Sequence, residues 1–223
     1  MRKVWFVPLI VLAAGCEEVG QDLGSGPSWK RFARPAGTTE WAGAIEVPSN
    51  LKPWADTSAP SESGERMAIS GTVFKPDGRT PAAGVLIYFY HTNAKGVYPT
   101  RGDEKGNGRR HGYLRGWILT GPDGKYEMRG IKPGNYPSGR APAHIHLTLT
   151  ANGHPEHWVD EVWFEGDPYV TAEEVARGKR HGSFNPIVKL TKDNTKTWRG
   201  LRDLKLELPS PNNGGATSNR PPE

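Results

Sequence analysis

Cysteine and hydrophobic residues are scarce in this chain of 223 residues. Its single cysteine, Cys16, excludes an internal disulfide. Hydrophobic residues make up only 35% of the chain, whereas glycine (28) and proline (20) are plentiful. This balance favours short strands joined by many turns over long helices. The length supports one domain of ordinary size with a real core.

The apolar run near the N-terminus is too short to span a bilayer. It follows a basic start and ends in Leu12-Ala-Ala-Gly-Cys16. The run predicts an export signal over residues 1–16, and its end resembles a bacterial lipoprotein cleavage box. We therefore expect Cys16 to carry a lipid anchor in the cell envelope. By analogy with Gram-negative lipoproteins, Glu17 favours the outer membrane. The alternative is an ordinary signal peptide with an incidental cysteine.

The net charge of +5 and the sequence pI near 9.3 do not point to nucleic acid. A nucleic-acid surface concentrates lysine and arginine in a patch or stripe. Here the two residue types are scattered along the chain. We therefore expect a solvated basic surface and no nucleic-acid partner.

Turn signals divide the chain into short strand-like runs. We predict a signal at residues 1–16, a tether and irregular arm at 17–64, a sandwich at 65–208 and a disordered tail at 209–223. The predicted strands are Met67–Phe74, Val85–Tyr90, Trp117–Thr120, Tyr126–Arg129, His144–Thr150, Trp158–Phe164, Ile187–Leu190 and Leu204–Leu208. Gly121-Pro-Asp-Gly124 predicts a hairpin, and the capping-box spacing of Thr171 and Glu174 predicts one helix. The expected class is all-β: a β-sandwich of mixed short strands with long loops and one short helix.

The pair His144 and His146 is the strongest functional signal. Side chains alternate along a strand, so both imidazoles point to the same side. Two adjacent neutral imidazoles are typical of a metal site. Tyr136 follows a turn just upstream, and Tyr98 follows an apolar strand. Two phenols with two imidazoles suit ferric iron better than zinc.

The run from Ser70 to Pro168 resembles the intradiol ring-cleavage dioxygenases, the family of protocatechuate and catechol dioxygenases. The matching pieces keep the family's order: Gly71-Thr-Val-Phe-Lys-Pro-Asp-Gly, Val85-Leu-Ile-Tyr-Phe-Tyr-His-Thr-Asn-Ala-Lys-Gly-Val-Tyr98, Thr120-Gly-Pro-Asp-Gly-Lys-Tyr126, Ile131-Lys-Pro-Gly-Asn-Tyr-Pro137, Pro142-Ala-His-Ile-His146 and Trp163-Phe-Glu-Gly-Asp-Pro168. The resemblance covers under half of the chain and implies the same sandwich architecture.

The resemblance also implies a non-haem Fe(III) cofactor and no organic one. Tyr98 matches the axial ligand, Tyr136 the equatorial tyrosine, and His144 and His146 complete the set. The implied reaction cleaves a catechol with O₂ between its two hydroxylated carbons and gives a muconate-type diacid. Tyr98 would take a substrate proton as it leaves iron. Arg140 would stabilise charge on the attacked carbon, although it stands one position earlier than the family's arginine.

Two other classes of protein remain open. One is a non-catalytic, surface-anchored β-sandwich binding module, transthyretin-like or a degenerate dioxygenase. The other is a zinc or copper protein that adds His154 or His157 to the histidine pair. We expect His91, Glu161 and Asp167 to be structural. The substrate and a homo-oligomeric state are left open by the sequence.

Overall fold

The computed structural model describes residues 42–137, 139 and 141–208. The predicted signal at 1–16 with Cys16, most of the predicted arm and the tail at 209–223 lie outside the described residues. Arg140 lies outside them too. Within the described part, no helix has the length and apolar character needed to cross a membrane.

Short strands dominate the described chain. The strands are β1 (Trp54–Asp56), β2 (Arg66–Phe74), β3 (Leu86–His91), β4 (Arg115–Leu119), β5 (Lys125–Ile131), β6 (His144–Ala151), β7 (His154–Phe164), β8 (Ile187–Val188), β9 (Thr191–Lys192), β10 (Trp198–Leu201) and β11 (Leu204–Lys205). The α-helices are α1 (Gly108–His111) and α2 (Ala172–Lys179), and 3₁₀ turns lie at Ala44–Glu46 and Gly182–Phe184.

The strands form two sheets. The first has the order β1-β5-β2-β10-β9, with β11 also paired to β2. The second has the order β4-β3-β6-β7-β8. Both contain parallel and antiparallel pairs, so they are mixed. The predicted all-β sandwich is confirmed.

The core lies between the sheets and takes alternate residues from each. Ile69 and Met128 contribute from the first sheet, and Phe89, Ile145 and Leu147 from the second. Each is at most 2% exposed. Burying a side chain of this size contributes about 1.5–3 kcal/mol. Because Ile145 points into this core, its neighbours on β6 must point to the other face.

The predicted hairpin around Gly121–Gly124 is wrong. β4 lies in the second sheet and β5 in the first, so the turn connects the two layers. The turn itself forms, with the Gly124 N–H donating to the Gly121 carbonyl at 2.9 Å. A turn signal predicts a reversal of the chain but not which sheet the next strand joins.

The predicted short helix is confirmed as α2. Thr171 accepts a hydrogen bond from the Glu174 backbone N–H, and the Glu174 side chain accepts one from Thr171 in return. Helix α1 was not predicted because its four residues are too few to show a helical period.

The outer face of the second sheet is covered by the segment around residues 42–47. Glu156 is fully buried there and accepts hydrogen bonds from the backbone N–H groups of Gly43 (3.0 Å) and Ala44 (3.2 Å). The Trp117 indole donates to the Gly43 carbonyl at 2.8 Å. This cover explains why every residue of β3 is buried. Polar side chains on this face are therefore partly shielded from water.

Candidate metal centre

Strand β6 presents both predicted histidines on the outer face of the second sheet. His144 is buried and His146 is half-buried, while Ile145 between them packs in the core. Their Nε2 atoms lie 2.9 Å apart. The pleat of the strand alone brings these two nitrogens together, as the His-x-His spacing predicts.

The two predicted tyrosines come from loops that pack backbone against backbone. Tyr98 follows the loop after β3, and Tyr136 follows β5. At their contact, a Cβ added to Gly96 would lie 1.7 Å from the Asn135 carbonyl oxygen. Only glycine permits this approach, and its φ of +77° also favours glycine. The close contact places the two phenols side by side.

All four predicted ligands converge on one point. The Tyr98 hydroxyl lies 2.6 Å from the Tyr136 hydroxyl and 3.0 Å from His146 Nε2. The Tyr136 hydroxyl lies 3.1 Å from His144 Nε2 and 3.4 Å from His146 Nε2. Donor atoms that each lie about 2 Å from one metal ion are spaced by about 3 Å. The four atoms therefore have the spacing of a ligand set.

On each imidazole, the contact made by Nδ1 determines which ring nitrogen carries the hydrogen. His144 Nδ1 lies 2.6 Å from the Pro142 carbonyl, which can only accept, so Nδ1 carries the hydrogen. His146 Nδ1 lies 2.7 Å from Glu161 Oε1. That contact is short but bent, since the ring N–H is not aimed straight at the oxygen. A proton on Nδ1 is still required there, because a nitrogen lone pair would repel the carboxylate.

This proton arrangement fits a cation. With both Nδ1 atoms protonated, both Nε2 atoms turn lone pairs toward each other at 2.9 Å. Five donor-atom contacts of 2.6–3.4 Å exist in the cluster, but the two phenols supply only two protons. A metal ion at the centre would satisfy all four atoms at once.

The electrostatics of the site agree with this fit. Burial raises the pKa of Tyr98, and the neighbouring Tyr136 raises it further. Burial also raises the pKa of Tyr136. Burial lowers the pKa of His144, which keeps that imidazole neutral. Neutral imidazoles are the ligand form, and the phenols would ionise only with a strongly charged cation beside them. A metal cation bound by all four groups would meet that requirement.

Glu161 is a third metal-binding type of side chain near the pair, because one ligand atom from each of His144, His146 and Glu161 lies within 4.8 Å of the others. A two-histidine, one-carboxylate triad is thus a competing arrangement. The carboxylate, however, contacts Nδ1 of His146, whereas His144 and the tyrosines meet Nε2 on the opposite edge of the ring. Glu161 therefore contacts His146 on the edge of the ring opposite the other three donors.

Asp167 ties together the loop that carries Tyr136. Its Oδ2 accepts hydrogen bonds from the Asn135 side chain (2.9 Å) and the Ala143 backbone N–H (3.0 Å). Its Oδ1 accepts from the Tyr169 N–H at 2.9 Å. Asn135 precedes Tyr136, and Ala143 precedes His144. One carboxylate thus holds both ends of the segment between the two candidate ligands Tyr136 and His144.

An aromatic stack behind His146 was missed by sequence reasoning. The Tyr90 ring stacks on His146 with centroids 4.6 Å apart and on His111 with centroids 3.7 Å apart. His111 Nδ1 in turn lies 2.6 Å from the Tyr88 hydroxyl. The alternation of β3 gave Tyr88 and Tyr90 a common face, but nothing in the sequence placed His111 against it.

The other histidines of the described chain lie outside the cluster. His154 Nδ1 contacts the Glu207 carbonyl and His157 Nδ1 the Pro155 carbonyl. His91 is structural, as expected: it is 1% exposed, with contacts to the Thr92 carbonyl and the Thr57 hydroxyl. Among the described residues, the grouping of three or more metal-binding side chains includes neither His154 nor His157. The predicted role of Arg140 falls outside the described residues.

Comparison with known proteins points to one family. A family model described as Dioxygenase matches residues 48–201, which is more than half of the chain. Catechol 1,2-dioxygenase 1 from Acinetobacter lwoffii is 32% identical over 143 residues, covering 52% of this chain and 43% of that protein. Chlorocatechol 1,2-dioxygenase from Rhodococcus opacus is 30% identical over 159 residues, covering 62% and 58%. The chain spans about half the length of these curated relatives.

The solved structures agree on the fold. Catechol 1,2-dioxygenase from Acinetobacter sp. ADP1 superposes with a TM-score of 0.55 at 24% identity. The match covers 79% of this chain and 66% of that one. At this identity the likeness supports the fold and leaves the chemistry to the site.

Proposed function

The chain belongs to the intradiol ring-cleavage dioxygenase family, and from this premise we propose that it is a non-haem Fe(III) enzyme. Its substrate would be a catecholic ring, cleaved with O₂ between the two hydroxylated carbons to give a muconate-type diacid. The names of the relatives, which include catechol, chlorocatechol and hydroxyquinol dioxygenases, support a substrate with adjacent ring hydroxyls.

One observation carries the proposal: four donor atoms from β6 and two loops are connected by five contacts of 2.6–3.4 Å. A binding module has no physical reason to bury two phenols against two imidazole lone pairs. Ferric iron is the ion that best matches two phenolates and two imidazoles. His144, His146, Tyr98 and Tyr136 would hold it.

The bound ferric ion would supply a Lewis acid that holds the catechol in its deprotonated form and promotes its reaction with O₂. The chain's own groups would prepare the substrate. Tyr98 Oη is the proposed acceptor of one catechol proton, since its pKa is raised by burial when it is not held as a phenolate. Tyr98, Tyr136 and His146 are each half-buried, so the cluster is open on one side. Arg140 is the proposed stabiliser of charge on the attacked carbon.

We also propose that the protein is exported and anchored to the cell envelope by lipid on Cys16. The support is the sequence Leu12-Ala-Ala-Gly-Cys16 after a basic start and a short apolar run. Mass spectrometry of the protein from membranes tests this, with Cys16→Ser as the matched variant. An unmodified Cys16 in the mature protein would refute the anchor and leave the dioxygenase proposal intact.

A visible spectrum with metal analysis tests the iron site. We expect a coloured protein with one iron per chain and a tyrosinate-to-iron absorption band. Tyr136→Phe should remove half of the phenolate donors and shift or abolish that band. Tyr169→Phe is the control, because Tyr169 is an exposed tyrosine outside the four-donor cluster.

Two results would count against the proposal. A protein that stays colourless after ferric reconstitution would favour the binding-module alternative. An unchanged band in Tyr136→Phe would remove Tyr136 from the ligand set. With iron in place, O₂ uptake with a panel of catechols would then identify the substrate.

A further inference from the structure

The Glu161 carboxylate makes two contacts on the side of His146 that faces away from the other three donors. Oε1 lies 2.7 Å from His146 Nδ1, and Oε2 accepts a hydrogen bond from the Trp163 indole at 3.1 Å. The side chain is only 10% exposed. Both oxygens therefore have a partner that fixes the carboxylate against the back of one ligand.

The fold positions this carboxylate through a β-bulge. Ile145 pairs with Val162, but Leu147 pairs with Val159, so His146 faces two residues of β7 instead of one. Those two residues are Asp160 and Glu161. Bulges frequently occur beside active sites, where they re-aim a side chain. Here the bulge lies opposite the ligand His146.

Burial would disfavour a carboxylate at this place. The Glu161 side chain is almost enclosed by protein, so its carboxylate has little contact with water. Its two partners are the Trp163 indole, which supplies a dipole, and the His146 ring. A metal ion at the Nε2 edge of that ring would supply a compensating positive charge.

We propose that Glu161 is a positioning residue that acts through His146 to strengthen metal binding and stabilise the ferric over the ferrous state. This inference rests on the proposed iron site and deepens it. A carboxylate that accepts from Nδ1–H increases the basicity of Nε2 and fixes the orientation of the ring. It also adds a third negative charge, beside two phenolates, against a trivalent ion. The two ligand histidines are consequently unequal, since His144 has only the neutral Pro142 carbonyl behind it.

Glu161→Gln tests the proposal because it removes the charge and keeps the size. The amide also cannot accept from both His146 and Trp163. We expect the tyrosinate-to-iron band to move to longer wavelength, because iron without the extra anion is a better electron acceptor. We expect the ferric/ferrous reduction potential to rise. We also expect the variant's affinity for iron, measured by competition with a chelator, to fall by about 10–100-fold, as is typical when a residue that hydrogen-bonds to a metal ligand is changed. Glu161→Asp, which keeps the charge, should restore part of each effect.

Glu165→Gln is the matched control: the same chemical change at an exposed glutamate just beyond β7. It should leave the band and the iron affinity unchanged. Thermal unfolding of the iron-free proteins separates a metal role from a structural one. Each compared with its own parent, iron-free Glu161→Gln should lose less stability than the iron-loaded variant, since only the iron-loaded protein gains from the negative charge. An unchanged band and affinity, or equal destabilisation with and without iron, would overturn the proposal.

Parallel loading with Co²⁺ separates this inference from the proposed function. If the parent protein bound no iron, the dioxygenase proposal would fail, and the Co²⁺ affinities of the parent and Glu161→Gln would still be compared. A weaker Co²⁺ site in the variant would support the role of Glu161 toward a metal. Equal Co²⁺ affinities would refute it.

Discussion

The two halves of the candidate metal centre are built in different ways. His144 and His146 belong to one strand, and the two-residue period of that strand alone puts their Nε2 atoms 2.9 Å apart. Tyr98 and Tyr136 lie 38 residues apart in separate loops and still meet at 2.6 Å. The histidine half depends on local geometry, and the tyrosine half depends on how two loops pack.

Because of this difference, the two halves of the site should differ in their sensitivity to substitution. The strand half is embedded in a sheet whose opposite face is the core, so single changes outside the ligands should hardly move it. The loop half depends on a few contacts, chiefly the close approach at Gly96 and the hydrogen bonds to Asp167. Substitutions that spare the ligands should therefore affect the tyrosines before the histidines.

Removal of a strand ligand should have the largest effect. His146→Ala deletes one donor and leaves Glu161 without the imidazole that it contacts. We therefore expect the affinity for iron to fall by more than roughly 100-fold, which is the upper end of the effect of changing a residue that only hydrogen-bonds to a metal ligand. The sheet should persist, because Ile145 and Leu147 still fill the core. Iron analysis and circular dichroism measure the two outcomes. His154→Ala, at a half-buried histidine outside the cluster, is the control and should bind iron normally.

Stoichiometric iron in His146→Ala would mean that the strand pair does not form the site. In that case the comparison between strand and loop halves would fail at its first step.

Gly96→Ala should disrupt the packing of the two tyrosine loops without replacing any of the four donor residues. The new Cβ would lie 1.7 Å from the Asn135 carbonyl oxygen, and φ is +77°. A non-glycine residue in this conformation costs about 1–3 kcal/mol before the clash is counted. We expect a loss of more than about 2 kcal/mol in unfolding free energy and loss of the tyrosinate band.

Gly153→Ala provides the matched control for Gly96→Ala. Gly153 has the same φ of +77° but no heavy atom within 4 Å of the added Cβ. It should show only the backbone strain and keep the band. Equal effects of the two variants would show that the loop contact does not position the tyrosines.

Asp167→Asn should loosen the Tyr136 loop to a smaller extent. An amide cannot accept all three hydrogen bonds, because its NH₂ group must face one of the donors of Asn135, Ala143 or Tyr169. Leaving one such donor unsatisfied costs about 1–3 kcal/mol. We expect weaker iron retention and a broadened tyrosinate band, measured by chelator competition and absorption.

Asp193→Asn is the control for this experiment. Asp193 likewise accepts several hydrogen bonds in a turn, from Thr195 and Thr197, but it lies between β9 and β10. It should lower stability without changing the band. A normal band in Asp167→Asn would restrict Asp167 to a structural role.

The same division explains what could be predicted from the sequence. The strand that carries His144 and His146 has a regular alternation, and its position was confirmed within one residue. The turn at Gly121–Gly124 was recognised, but its flanking strands were assigned to one hairpin, because short-range signals do not report sheet membership. Glu161 was expected to be merely structural, because its contact with His146 depends on a bulge in the pairing of β6 with β7. His111 was missed for a similar reason: its stacking partner Tyr90 is 21 residues away.

His91 can be compared with His144 and His146, because it also lies on a strand but is outside the metal site. Burial lowers its pKa from 6.5 to about 4. Between these two values the unfolded chain binds the proton and the folded chain does not, so the contribution of His91 is complete above pH 6.5 and is lost as the pH falls toward 4. The full span corresponds to about 3 kcal/mol.

Unfolding free energies of the parent and His91→Gln, measured from pH 7.5 to 5, should therefore converge as the pH falls, because only the parent loses this contribution. The tyrosinate band at pH 7.5 should be the same in both proteins, since His91 contacts Thr57 and Thr92 and none of the four donors. Parallel stability curves would show that His91 binds its proton equally well in the folded and unfolded chains, and a shifted band would place it in contact with the metal site after all.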